Sequence, residues 1–164
     1  MVEVRIEEKP EFRVCGKKVW ISGQNNEEFS VFWKEARETG LVERLKHIMC
    51  ECAMERSCIG VSRVEKDPAD RAFFFYIACE TDQEENDLES FTIPAAKWAV
   101  FSNHGKSLGE ALVEAELFCH FKWLKTSGYV HAMAPEMEVY PERDGSLVEY
   151  WLPIEASEKD KEIK

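Results

Sequence analysis

A chain of 164 residues is long enough to bury a real core and short for a multidomain regulator. Hydrophobic residues make up 45% and charged residues 32%, the balance of a globular protein rather than a disordered one. Lys and Arg number 21 against 32 Asp and Glu; the formal net charge of −11 repels phosphate backbones, argues against a nucleic-acid binder built on a basic face, and makes cations the natural ligands. The opening MVEVRIEEKP is charged throughout, and no stretch approaches the roughly 20 apolar residues of a membrane span. A cytoplasmic location without membrane contact is therefore expected.

In chain order, FRVCGKKVWIS (Phe12 to Ser22) reads as a strand with a turn at Gly16. From Asn25 to Glu38, Phe29, Phe32, Trp33 and Ala36 form one apolar helical stripe, which Thr39-Gly40 breaks. A shorter helix from Leu41 to Met49 follows, then a strand from Cys58 to Val64, a turn at Asp67-Pro68 and an apolar strand from Arg71 to Glu80. The acidic run from Glu80 to Ser90 has little to bury and reads as an exposed connector. Beyond it lie a strand from Phe91 to Ser102 and a turn at Asn103-His104-Gly105. A helix from Leu108 to Thr126 then carries the stripe Leu108, Leu112, Ala115, Cys119 and Lys122, widened by Ala111, Phe118 and Trp123. A hairpin joins Pro135–Tyr140 to Ser146–Glu155 across the turn Pro141 to Gly145.

Both halves thus run strand, helix, strand, strand, and FYIACE from Phe75 aligns with YWLPIE from Tyr150 at an offset of 75 residues. The expected fold is α+β: duplicated β-α-β-β units with pseudo-twofold symmetry, an antiparallel sheet with helices on one face and a ligand cleft on the other. Repeat one spans about residues 1–80, the acidic connector 81–90, repeat two about 91–155 and a charged tail 156–164.

Strand alternation sorts the residues of the last hairpin by face. Val148, Tyr150, Leu152 and Ile154 suit the helix side, leaving Glu149, Trp151 and Pro153 opposite. In the partner strand Met137 and Val139 suit the helix side, leaving Glu136, Glu138 and Tyr140 opposite. A symmetric hairpin then sets Glu138 across from Glu149. Like charges so placed repel, and a bound organic cation would relieve them. Tyr140, Trp151 and, from the duplicated strand, Tyr76 and Phe74 would supply aromatic faces. The alternative is that both carboxylates sit on a solvated sheet face.

The six cysteines read as reduced thiols, since His47-x2-Cys50-x-Cys52-x5-Cys58 lacks the paired spacing of zinc fingers. Nucleotide-binding, zinc-protease and esterase motifs are missing. His104, His120 and His131 read as surface or packing residues, and Trp33 and Trp123 as packing beneath the sheet.

Three segments resemble the GyrI-like, AraC-type effector-binding domain family. IPAAKWAVFSNHG (Ile93 to Gly105), TSGYVHAMAPEMEVY (Thr126 to Tyr140) and VEYWLPI (Val148 to Ile154) look like its IPAG-x-YAVF-x-x-x-G, W…SGY…GP-x-LE-x-Y and x-E-x-W-x-P-V signatures. Ala134 stands where the family usually has Gly, and Trp98 where it usually has Tyr. The first half fits more loosely, through Gly23 to Trp33 and Cys58 to Val64.

The resemblance implies an aromatic-lined cleft with a buried acidic residue that binds diverse lipophilic cations. Glu138, Tyr140, Glu149 and Trp151 match positions lining that ligand site. Family members that regulate transcription carry an added DNA-binding module, for which this chain has no room, so direct DNA binding is not expected. The reading is a stand-alone binder of hydrophobic, cationic, drug-like molecules, acting in transcription regulation or drug sequestration. No catalytic residue, cofactor or metal ligand is assigned. Two alternatives stay open: a hydrolase of electrophilic compounds using the same cleft, and an inhibitor-like protein that binds gyrase or a separate regulator.

Overall fold

The computed structural model describes residues 1–22, 27–51, 56–63 and 72–157. Along the first half lie β1 (Glu3–Lys9), β2 (Phe12–Ile21), α1 (Glu27–Glu38), α2 (Leu41–Ile48), β3 (Ile59–Arg63) and β4 (Phe73–Glu80). The second half holds β5 (Glu89–Ile93), β6 (Ala96–His104), α3 (Leu108–Phe118), a π-helical turn (Cys119–Trp123), α4 (Leu124–Ser127), β7 (Tyr129–His131), β8 (Glu136–Val139) and β9 (Leu147–Ala156). The expected turn at Asp67-Pro68 and Cys52 of the cysteine cluster lie outside the described residues.

Local chemistry explains the helices. In α1, Glu27 and Glu28 open the first turn and Arg37 closes the last, complementing the helix dipole. Gly40, at a φ of 82°, takes the left-handed conformation that separates α1 from α2. Ser107 caps α3 by accepting from the Glu110 amide at 3.3 Å. The π turn adds a residue to the helical repeat, so Trp123 rather than Lys122 continues the buried stripe, packing against Phe101.

The strands form one antiparallel sheet in the order β1-β6-β9-β8-β3-β4-β2-β5, with β7 pairing to the C-terminal end of β9. Its centre is the expected duplication: β2-β4-β3 from one half meets β8-β9-β6 from the other. Phe75 and Tyr150 share the helix face, while Tyr76 and Trp151 share the reverse, as the 75-residue offset requires. Beyond that expectation, each half begins with an extra strand that crosses to the other half, β1 onto β6 and β5 onto β2.

Those crossings bend the sheet. β5 and β6 stand near opposite ends of the strand path, yet only Pro94 and Ala95 join them, a reach of roughly 10 Å. The sheet must therefore curl until its edges approach. One apolar cluster fills the curl, with Val14 and Tyr76 from one half touching a core that includes Trp98, Val100, Met137 and Trp151 from the other. On the outer face, α1 and α2 cover Phe75, Ile77 and Cys79, while α3 covers Ala99, Phe101 and Leu152. Central strands β3 and β8 lie between these two helical layers.

Several local expectations need correction. Gly16 is no turn: β2 runs straight through it, and a Cβ there would sit 2.2 Å from the Ile77 carbonyl oxygen. The strand expected over Phe91–Ser102 is two strands broken at Pro94, and Asn103 and His104 belong to β6. The acidic segment needs no such correction: it lies exposed over most of its length and is held by ion pairs, Glu84 to Arg13 at 3.2 Å and Glu89 to Lys18 at 2.8 Å, with Asp87 bonded to Arg44.

Candidate ligand-binding site

A cavity of about 1100 Å³ opens on the helical face, between α1 and α3 and above β3 and β8. The cleft therefore lies on the same face as the helices and not opposite them: the reverse face is consumed by the curl of the sheet. Phe29 and Trp33 form one wall and Leu112 and Glu116 the other; Glu136, Glu138 and Tyr150 rise from the floor.

Glu138 pairs across the sheet with Gly60. A Cβ at Gly60 would fall 2.5 Å from Glu138 Cγ and 2.6 Å from Phe75 Cζ, so the missing side chain is what lets the carboxylate lie over β3. There the Trp33 indole Nε1 donates to Glu138 Oε1 at 2.9 Å, and Tyr140 donates a second hydrogen bond. Trp33 and Tyr140 meet edge to face with centroids 5.4 Å apart. Burial pushes the Glu138 carboxyl up, and the two donors pull it partly back. Tyr140 is pushed up by burial and by Glu138, which keeps it a protonated donor.

Glu136 leans the other way, accepting from the Tyr150 hydroxyl, whose oxygen lies 3.1 Å from His120 Nε2. Desolvation raises the Glu136 carboxyl to about 7. Glu116 is raised to about 8, by desolvation first and then by the charges of Glu138 and Glu136. Among the described residues none of these three carboxylates forms an ion pair. Arg37 and Lys46 also line the cavity, and Arg37 acts electrostatically on Tyr140.

Of the six residues singled out in the sequence, Glu138 and Tyr140 line this cavity, whereas Glu149, Trp151, Tyr76 and Phe74 lie on the reverse face of the sheet. The hairpin register is the reason. Glu138 pairs with Tyr150 and Val139 with Glu149, one residue away from the expected pairing of Glu138 with Glu149. A one-residue slip moves a whole strand to the other face. Glu138 and Glu149 are thus separated by the sheet. Asp144 stands at the midpoint of this register and accepts from the Ser146 amide at 2.9 Å and from its hydroxyl.

On the reverse face Glu149 is fully buried and already satisfied. Arg5 Nη1 lies 2.8 Å from it, the Trp151 indole donates at 3.1 Å and Ser102 at 3.4 Å. Tyr76 donates to Glu89 at 2.7 Å, and Phe74 packs against Trp20 with Lys18 4.4 Å above its ring. Sequence reasoning missed Trp33, Glu116 and Glu136 as cavity residues, and Gly60 as the position that makes room for Glu138. Trp33 could have been found, since it sits with Phe29 at the edge of the α1 stripe rather than at its buried centre.

Cys58 also lines the cavity, but burial pushes its thiol up to about 11; Cys79 and Cys119 rise to about 12. Such thiols hold little reactive thiolate. Among the described residues no group of His, Cys, Asp and Glu has the arrangement of a metal site, and no helix is long and apolar enough to cross a membrane.

Comparison with known proteins agrees with this architecture. No curated protein matches the chain. Among solved structures, SAV2435 bound to tetraphenylphosphonium superposes with a TM-score of 0.79 at 18% identity, covering 93% of this chain and 94% of that one. A putative transcription regulation protein from Staphylococcus aureus MU50 gives 0.74 at 17% identity over 94% and 99%. EcmrR, in its complex with DNA, gives 0.66 at 18% identity; this chain is 95% covered and spans 58% of the EcmrR chain. The family model described as the GyrI-like small molecule binding domain matches residues 2–155. With that match over nearly its whole length, the chain belongs to the GyrI-like family of small-molecule-binding domains.

Proposed function

We propose that this protein binds lipophilic organic cations in the cavity between α1 and α3. The observation that carries the reading is the Glu138 carboxylate, half-buried on the cavity floor, held by Trp33 and Tyr140 and lacking a cationic partner among the described residues. A desolvated carboxylate of this kind is costly alone and gains from an incoming positive charge. The rings of Phe29, Trp33, Tyr140 and Tyr150 supply apolar area and π-faces that suit a delocalised cation better than a hydrated metal ion. Tetraphenylphosphonium, the compound bound to the similarly folded SAV2435, belongs to that chemical class.

Titration with tetraphenylphosphonium, followed by tryptophan fluorescence and calorimetry, tests the reading. Saturable binding is expected, and Glu138→Gln should weaken it by about 30-fold or more, the low end for breaking a desolvated charge contact. Equal affinity of wild type and Glu138→Gln would overturn the assignment.

A further inference from the structure

Glu136 and Glu138 occupy the same face of β8, two residues apart, which separates their backbone positions by roughly 7 Å. Their side chains then diverge. Glu138 crosses β3 toward the first half of the protein, where Trp33 on α1 donates to it; Glu136 turns toward the second half, where Tyr150 on β9 donates to it and His120 backs Tyr150. Glu116, from α3, adds a carboxylate to the wall above and feels the charge of both. A single small cation would meet one of these points and leave the other desolvated.

We propose that the preferred ligand of this cavity is an organic dication, with one cationic centre at Glu138 and the second between Glu136 and Glu116. The inference rests on the cation-binding reading above and deepens it by fixing the charge and spacing of the ligand. The two anionic points lie on opposite sides of the pseudo-twofold boundary between β3 and β8, each gripped by an aromatic donor of a different half. The cavity, at about 1100 Å³, has room for a rigid two-ring molecule lying across that boundary.

Oxidised methyl viologen is a suitable probe: a flat dication whose two ring nitrogens are separated by about the spacing of alternate residues on a strand. Its analogue N-methylphenylpyridinium has nearly the same shape with one charge. Calorimetric titration of both, above the pH range in which Glu116 ionises, should show the viologen binding at least about tenfold more tightly to wild type. Glu136→Gln should erase that preference, weakening the viologen about tenfold or more while changing the monocation less than about threefold. Glu116→Gln, on a different element, should reduce the preference in the same direction. Equal affinity for the two probes in wild type, or equal losses for both in Glu136→Gln, would overturn the proposal. If tetraphenylphosphonium binds through Glu138 and the viologen shows no advantage, the dication inference alone falls; if no cation binds at all, the underlying reading falls with it.

Discussion

The indole nitrogen of Trp33 lies 2.9 Å from Glu138 Oε1, joining the first helix of one half to a central strand of the other across the floor of the cavity. This bond supports the ionised form of a carboxylate that burial otherwise drives toward neutrality. Replacing Trp33 by Phe keeps a ring but removes the donor. The expected outcome is a several-fold loss of tetraphenylphosphonium affinity at neutral pH, recovered in part as the pH is raised. A loss that is the same at every pH would mean that the indole acts through packing alone.

Binding should depend on pH in a predictable sense. A dication such as methyl viologen favours ionised carboxylates at both of its centres, and the acids at the second, Glu136 and Glu116, are raised to about 7 and about 8. Affinity should therefore rise from about pH 6 to above pH 8, with protons released on binding. Calorimetry in buffers of different ionisation enthalpy measures that release directly. Stability of the free protein should move the opposite way. A carboxyl whose folded value is raised holds its proton longer in the native state than in the unfolded one. Its contribution is complete below the ordinary value of 4.5 and is lost as pH climbs through 7 to 8. Thermal unfolding of Glu116→Gln should show a flatter decline over that window than wild type.

Gly60 makes room for the Glu138 side chain over β3. An alanine Cβ would meet Glu138 Cγ at 2.5 Å and Phe75 Cζ at 2.6 Å, closer than packed atoms allow, so side chains or backbone must move. Gly60→Ala should cost about 1 to 3 kcal/mol of stability, the range for overpacking a filled site, and should displace the carboxylate from Trp33. Denaturant unfolding reads the first effect and cation titration the second. Unchanged affinity would show that the position of Glu138 over β3 does not matter for binding.

Much of this architecture can be read from periodicity. The stripe Phe29, Phe32, Trp33, Ala36 marks α1, and the alternation in β9 sorts Tyr150 and Leu152 from Glu149 and Trp151 correctly because that strand is long and its two faces differ in chemistry. β8 defeats the same logic. It has four residues, two apolar and two acidic, and the apolar pair Met137 and Val139 goes into the curl of the sheet while the acidic pair goes under the helices. Apolar residues mark a buried face, but here one face is buried and the other half-buried against the cavity, and which is which depends on a turn register centred on Asp144. The crossing of β1 and β5 is equally hidden, since strand alternation carries no information about which partner a strand will choose. Without the curl that these strands create, the face bearing Trp151 and Tyr76 would stand open and would have been the natural cleft.

The ion pair on that enclosed face gives the last prediction, because it separates a carboxylate that holds the fold from those that face the cavity. Glu149 is fully buried and bonded to Arg5, whose guanidinium is part-exposed and also meets Glu7 at 2.7 Å. The two partners should not be equivalent. Removing Arg5 leaves a carboxylate in the core with only the Trp151 and Ser102 donors, a stranded charge costing about 3 kcal/mol. Glu149→Gln keeps the volume, removes the charge and leaves Arg5 free to reach water and Glu7, so its cost should be smaller. Arg5→Met should thus destabilise more than Glu149→Gln in chemical denaturation, and the double variant should be no less stable than Arg5→Met. Because the sheet separates Glu149 from the cavity, Glu149→Gln should bind tetraphenylphosphonium within about threefold of wild type, while Glu138→Gln loses about 30-fold. A comparable loss in Glu149→Gln, with the fold intact by circular dichroism, would place the ligand on the enclosed face instead.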